Sequence, residues 1–340
     1  MQAGKRYTLW QTIRWTRKTI FLFILFDSIP VALFYFFGFE WLVIPWQPLS
    51  IIGIAVAFYL GFKNNSSYDR LWEARKIWGG IVNTSRSLTV MTRDFVTNEH
   101  AHQKKSEEEL KSIHRTIVHR HIAWMYALTF QMRELRDWEH NTKDDQMLRA
   151  SLGLQNPSEK FELLKDYLSE DEYNYIMSKG NKASHILSLQ SKHFLKLKEE
   201  GHIEDFRHME LEKMVLELYN LQGKSERIKN FPFPRQYATA NYFFVCIFLL
   251  LLPFGMLSVF TGRADTYSIW MAIPFSVLAS WVFWIMESIG EYSENPFEGL
   301  YNDVPITSMA RGIEIDIRQM LDEEDLPEPI GSLGDLKILY

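Results

Sequence analysis

The sequence predicts an all-α membrane protein with four transmembrane helices per subunit and a large helical region outside the membrane. Long uncharged apolar runs lie towards both ends of the 340-residue chain and flank a strongly charged middle. Within that middle, apolar residues recur at helical spacing, and no alternating strand pattern stands out. The modest net charge of −5 argues against a nucleic-acid binder.

Four apolar runs are the candidate spans. Three of them are long enough to cross roughly 30 Å of hydrocarbon at about 1.5 Å per residue: Thr19–Phe39, Tyr237–Thr261 and Tyr267–Met286. The fourth, Leu49–Phe62, reaches only about 21 Å. It continues without a proline into a polar, aromatic-rich helix. We expect it to span, because a helix that lines a water path need not be apolar throughout.

On the short run, Ile54, Phe58 and Phe62 are each four residues apart and therefore share one helix face. Such spacing is common on membrane helices, so a lipid-facing stripe explains it as well as a functional one does. If the face lines a narrow water path, its apolar side chains can form a hydrophobic gate that passes ions only when wetted.

The distribution of Lys and Arg predicts both termini and the middle region to be cytoplasmic, with two short external loops. Basic residues precede the first span, follow the second and precede the third: Lys5, Arg6, Arg14, Arg17 and Lys18; Lys63, Arg70, Arg75 and Lys76; Lys224, Arg227, Lys229 and Arg235. The loop 40–48 has none, and the loop after the third span has only Arg263. We expect a multi-pass protein of the plasma (inner) membrane.

These boundaries divide the chain into four parts. Residues 1–62 hold the amino-terminal segment and the first two spans, and 63–235 form the cytosolic helical region. Residues 236–287 hold the third and fourth spans, and 288–340 form a cytosolic carboxyl-terminal segment. Pro232 and Pro234 break the chain just before the third span.

Within 63–235, local signals mark helix ends. Ser106 with Glu109 is a capping-box pattern, and Ser169 with Glu172 opens a short helix. Gly201 and Gly223 are expected to end the two helices His185–Glu200 and Asp205–Gln222. The segment Glu139–Ser158 is largely polar and is expected to be a loop.

No phosphate-binding glycine loop, HExxH, paired CxxC or GxSxG motif occurs, so the sequence predicts no enzyme and no certain cofactor.

Asp27 is a carboxylate inside the first span, where ionisable groups are functional candidates. A wetted position near Arg17 or Lys18 explains it equally well.

Side chains with oxygen ligands that suit Ca²⁺ follow the fourth span: Glu287, Glu291, Glu294, Asn295, Glu298, Asn302 and Asp303. Their spacing is not that of an EF-hand, and a solvated acidic linker is the alternative.

Several motifs together resemble the bacterial branch of the bestrophin family. They occur in the family's order and cover residues 10–320: Leu60 to Arg70 with Trp72 to Arg75, Glu226 to Asn230 with Pro232 and Pro234, Glu294 to Phe297, Asn302 to Ile306, and Arg311 to Ile315. The resemblance implies a homopentameric ion channel in the lipid bilayer, with one central pore.

The resemblance also implies roles for particular residues. It places the pore neck at Ile54, Phe58 and Phe62, and a second, cytosolic constriction near Ile186. The permeant ion is an anion, chiefly chloride, in animal and plant members, whereas the bacterial type favours monovalent cations such as sodium. Animal members also hold calcium in a dense acidic run, of which Asn295, Glu298, Asn302 and Asp303 are the candidate ligands here. Most acidic side chains of that run are missing, which argues against calcium gating.

Two other classes remain open on the sequence. Asp27, Pro30 and Pro274 lie within spans, as polar groups and helix breaks do in secondary carriers, but no internal repeat accompanies them. A membrane-anchored scaffold, whose helical region binds partners, is the other alternative.

Overall fold

The computed structural model describes residues 1, 3–4, 6–154, 159–261, 266–333 and 337–340, and over these ranges the fold is all-α. Its helices are α1 (Leu9–Phe37), α2 (Trp46–Phe95), α3 (Glu107–Arg133), α4 (Lys143–Ser151), α5 (Glu170–Met177), α6 (Lys182–Glu199), α7 (Asp205–Asn230), α8 (Arg235–Phe260), α9 (Ala272–Glu291) and α10 (Ile306–Gln319). Short 3-10 helices cover Glu40–Leu42, Glu159–Asp166 and Thr266–Met271. In these ranges the β pairing is one isolated bridge, between Leu333 and Ile338.

The chain forms two compact units. The membrane unit comprises Gly4–Asp69 and Phe233–Glu294, and the large unit comprises Met1–Ala3, Arg70–Pro232 and Asn295–Tyr340. Four helical segments are long and apolar enough to cross a membrane: Leu9–Phe37, Glu40–Phe95, Arg235–Phe260 and Tyr267–Glu291. Each predicted span overlaps one of them, so the prediction of four spans is confirmed. Lys5 and Arg263, which entered the orientation argument, lie outside the described residues.

The second helix is continuous over 50 residues, from Trp46 to Phe95. At about 1.5 Å per residue it is about 75 Å long. The apolar run therefore does continue into the polar helix, as its lack of an internal break predicts. Pro48 lies in the first turn, where a missing N–H costs no intrahelical hydrogen bond.

The large unit is built around α3. Ile117, Ile122, Trp124 and Leu128 of this helix are buried, in one hydrophobic core with side chains of α6 and α7 such as Leu187, Phe194, Leu211 and Leu218. The predicted capping box opens α3, because the Ser106 side chain accepts from the Glu109 N–H and Glu109 accepts from Ser106 N–H. Core burial and capping together place α3 at the centre of this unit.

Two local predictions for this region are wrong. Residues 143–151 form α4 instead of a loop, since Thr142 and Asp145 make a reciprocal capping box. Gly223 lies inside α7, which continues to Asn230 because apolar residues such as Ile228 remain buried beyond the glycine. Gly201, in contrast, has φ of 80° and follows the end of α6, as predicted.

Candidate pore-lining face

One face of α2 in the membrane unit is buried. Leu49, Val56 and Leu60 form a cluster with Val245, Phe248, Leu249 and Leu252 of α8. The backbone comes close at Gly53, where an added Cβ would lie 2.8 Å from the Phe248 ring. This packing sets the rotation of α2 about its axis, since turning the helix would expose the aliphatic side chains and press bulkier ones against α8.

The opposite face of α2 carries the three predicted neck residues. Ile54, Phe58 and Phe62 are 71%, 68% and 52% exposed in the single chain. The rings of Phe58 and Phe62 pack edge to face, with centroids 4.6 Å apart. All three side chains therefore point away from the helical packing of their own unit and form one continuous apolar surface.

Exposed apolar side chains also lie on other helices of the membrane unit, for example Phe21 and Leu25 on α1 and Leu278 on α9. The α2 face differs from these in its polar continuation. Asn65 and Asp69 continue the same spacing beyond Phe62, and both are exposed. A carboxylate and an amide are costly in hydrocarbon, so this face meets water at its polar end.

A buried polar network ties α2 to α8 and α9 at the level of Phe62. The Lys63 ammonium forms an ion pair with Glu287, and the Asn241 amide donates to the other carboxylate oxygen. The neighbouring Asn64 amide donates to the Met286 carbonyl at 3.0 Å. Lys63, Glu287 and Asn241 are each at most 2% exposed. The sequence analysis missed this network and placed Glu287 among the candidate calcium ligands. Its position directly after the apolar run Tyr267–Met286 was a signal for a paired intramembrane charge.

Asp27 is also fully buried in this unit. Its Oδ2 accepts a hydrogen bond from the Ser280 hydroxyl of α9 at 3.5 Å. Its Oδ1 has no hydrogen-bond partner among the described residues. The wetted position near Arg17 or Lys18, one of the two interpretations that the sequence left open, does not describe the structure, because the carboxyl group packs between α1 and α9 instead of facing water.

A family model described as Bacterial/Fungal Bestrophin protein matches residues 11–319. The chain belongs to the bacterial and fungal bestrophin family. Bestrophins are ion channels of membranes, so this chain is a membrane channel protein and not an enzyme.

Relatives and solved structures agree with that assignment. A protein of Escherichia coli (strain K12) named "Voltage-dependent anion channel-forming protein YneE" is 27% identical over 283 residues, 83% of this chain and 79% of that protein. A protein of Ralstonia nicotianae with the same descriptive name is 29% identical over 280 residues, 82% of this chain and 78% of that protein. The crystal structure of a bacterial bestrophin homologue from Klebsiella pneumoniae superposes with a TM-score of 0.74 at 24% identity, covering 91% of this chain and 99% of that one.

The candidate calcium ligands of this bestrophin contact groups of their own chain. The Asn295 amide donates to Glu298 at 2.5 Å, and Glu298 is also within 2.9 Å of the His140 ring. Asp303 accepts from the Gly299 N–H and lies 3.6 Å from the Arg133 guanidinium. Asn302 has partners of its own. Burial raises the pKa of Glu298, and the hydrogen bond from His140 opposes that shift.

These contacts do not fit a calcium site. A Ca²⁺ ion needs six to eight oxygen ligands around it, whereas the carboxylates here face a guanidinium, an imidazole and backbone or amide N–H groups. Over the described residues, no group of three or more His, Cys, Asp or Glu side chains is arranged to hold a metal ion. The acidic segment is therefore a folded element held by hydrogen bonds and ion pairs, and not the solvated linker that the sequence suggested.

Ile186 is fully buried in the core of the large unit, on α6. A residue that narrows a pore must present its side chain at the subunit surface. Ile186 does not do so, because Ile186 and the adjacent Leu187 are both buried in the same hydrophobic core. A cytosolic constriction at Ile186 does not fit this burial.

Proposed function

We propose that this bestrophin is a passive channel for small monovalent anions, with chloride as the main permeant ion, and that it works as a homopentamer around one central pore. The α2 helices of five copies would line that pore, with Ile54, Phe58 and Phe62 as an apolar neck. The observation that carries the proposal is the α2 face itself, which is apolar and exposed in one copy and becomes polar beyond Phe62.

The physical argument rests on what an exposed face of this kind needs. Lipid would cover Ile54 and Phe58, but it would not accommodate Asp69, about three turns beyond Phe58 along the same face. A water-filled pore accommodates both, because an apolar constriction that opens into a polar vestibule gates ions by wetting and dewetting. A surface shared by several copies of one chain also follows the usual closed symmetry of homo-oligomers.

The names of the relatives support anions over cations, since the E. coli and Ralstonia proteins are both named as anion channel-forming. The membrane layout completes the proposal. The chain is a multi-pass protein of the plasma membrane, with 1–62 and 236–287 holding the spans. Residues 63–235 and 288–340, with both termini, lie in the cytoplasm, on the side favoured by the basic flanks.

The test is current through planar bilayers that contain the purified full-length protein, with its assembly state measured by native mass spectrometry. We expect pentamers, and a reversal potential under asymmetric NaCl on the chloride side. Phe58→Ala and Phe62→Ala should raise the conductance or weaken the gating, because each removes a ring of bulky side chains from the neck. The matched control is Phe21→Ala, which removes a ring 66% exposed on α1 and should conduct as the wild type does.

Silent bilayers from verified pentamers would overturn the channel proposal. A reversal potential on the sodium side would overturn the anion assignment and leave the channel intact. If Phe21→Ala changed the conductance or gating as much as Phe58→Ala and Phe62→Ala do, the assignment of the neck to this α2 face would be wrong.

A further inference from the structure

The α2 face continues for two turns beyond the neck, and its next ionisable residue is Asp69. Asn65 follows Phe62 by three residues and Asp69 by seven, so both remain on the neck face. At about 1.5 Å per residue, Asn65 lies about 4.5 Å and Asp69 about 10 Å beyond Phe62 along the helix. Because the neck side chains carry no charge, the sign of the permeant ion has to be influenced by groups beside the neck.

In the membrane unit, α2 carries one charged residue on its buried face and one on its exposed face. Lys63 and Asp69 are the charged residues of α2 that belong to the membrane unit. Lys63 is buried and paired with Glu287, so its positive charge is compensated inside the helix packing. Asp69 is exposed, and no hydrogen bond or ion pair joins it to a described residue. The neck face thus carries one uncompensated negative charge per copy.

The neighbouring cation does not compensate Asp69 either. The Arg70 guanidinium donates to the carbonyl oxygens of Ile228 and Phe231, at the carboxyl end of α7. The next charged residue at the spacing of the neck face is Glu73, about 6 Å further along α2, and its carboxylate forms an ion pair with the Arg227 guanidinium. Lys76 follows Asp69 by about 10 Å along the same face. Asp69 is therefore the charged residue of this face nearest the neck, and over the described residues no ion pair compensates it.

We infer that Asp69 forms a ring of five carboxylates at the inner end of the neck and that this ring sets how strongly the pore discriminates between anions and cations. The assignment rests on the proposed function, since the ring exists only in the pentameric pore. The ring concentrates monovalent cations at the neck and opposes anion entry, as rings of charged side chains do in other channels. It therefore limits the chloride preference of the wild-type channel.

Asp69→Asn removes the charge and keeps the shape of the side chain. We expect the anion-to-cation permeability ratio to rise on the order of a few-fold at low ionic strength, because five unit charges act within about one Debye length of the permeating ion. The increase should shrink in concentrated salt, where the ring is screened. Asp69→Glu keeps the charge and should keep the wild-type ratio.

The measurement is the reversal potential of reconstituted full-length protein under asymmetric NaCl, at low and at high total salt. The matched control is Glu40→Gln, which removes an exposed carboxylate of the same unit and should leave the ratio unchanged. A conducting, pentameric Asp69→Asn channel with the wild-type ratio at low salt, or with a lower ratio, would overturn this assignment alone. A silent wild-type pentamer would overturn the proposed function and the assignment with it.

Discussion

Asp69 and Glu287 are carboxylates of the same unit, and the structure treats them in opposite ways. Glu287 is 2% exposed and is held by Lys63 and Asn241. Asp69 is exposed and joined to no described residue. The first carboxylate holds α2, α8 and α9 together, and the second is available to ions in solution. In this membrane unit, the ion pair with Lys63 therefore distinguishes the structural carboxylate of Glu287 from the carboxylate of Asp69, which can act on a permeant ion.

The acidic segment after α9 follows the pattern of Glu287. Glu298 and Asp303 are 2% and 3% exposed and contact His140, Gly299 and Arg133. Buried charges of this kind contribute little net stability while paired, but removing one partner leaves the other uncompensated. Variants can therefore test whether each carboxylate belongs to the structural or to the ion-facing class.

The largest expected effect is on the buried pair. Glu287→Ala should lower the free energy of unfolding by roughly 3–5 kcal/mol, because it leaves the Lys63 ammonium buried without a partner. The double variant Lys63→Met, Glu287→Leu should recover most of this loss. Asp69→Ala should change stability by no more than about 0.5 kcal/mol, as expected for an exposed site. Thermal unfolding of the purified protein in detergent measures all three, and a comparable loss for Asp69→Ala would erase the contrast.

An intermediate effect is expected from the buried and partly buried histidines of the large unit. Burial lowers the pKa of His193 from 6.5 to about 4, and the nearby Arg120 contributes, since its guanidinium donates to the ring Nδ1 at 2.9 Å. Between pH 6.5 and 4 the unfolded chain therefore binds more protons at this residue than the folded chain does. The neutral His193 ring therefore contributes fully to the free energy of unfolding above pH 6.5, and this contribution is lost as the pH falls towards 4.

We expect the unfolding temperature to fall over that pH range, and to fall less in His193→Gln, whose side-chain oxygen can accept from Arg120 without titrating. His114, His119 and His121 also have lowered pKa values, so part of the decline should remain in the variant. Identical pH profiles for the wild type and the variant would count against a structural role for the neutral imidazole.

The smallest expected effect is that of calcium. Because Glu298 and Asp303 are already engaged by groups of their own chain, adding Ca²⁺ up to on the order of 10 µM, the upper range of sensor sites, should leave the current unchanged. Chelation should likewise have no effect. A current that rises with calcium in the wild type but not in Glu298→Gln would place this segment in the ion-binding class.

Much of the fold could be predicted because its signals are local. The four spans, the capping box at Ser106 and the helix end at Gly201 each depend on a few adjacent residues. The helix over 143–151 was missed because its stabilising groups are a short capping box and a buried Arg149, which donates to the Glu298 carbonyl far along the chain. Gly223 was misjudged because tertiary packing of α7 outweighs the local cost of a glycine.

The sequence by itself determined that the chain has four spans, that α2 continues unbroken from an apolar to a polar stretch, and that Ile54, Phe58 and Phe62 share one face. Helical periodicity and hydrophobicity are properties of neighbouring residues, and they can be read without a fold. Only the tertiary structure decided which face of α2 is buried against α8, that Lys63 pairs with Glu287 across 224 residues, and that Asp69 pairs with none of the described residues. Burial and charge pairing depend on which distant segments meet, and no local pattern specifies that.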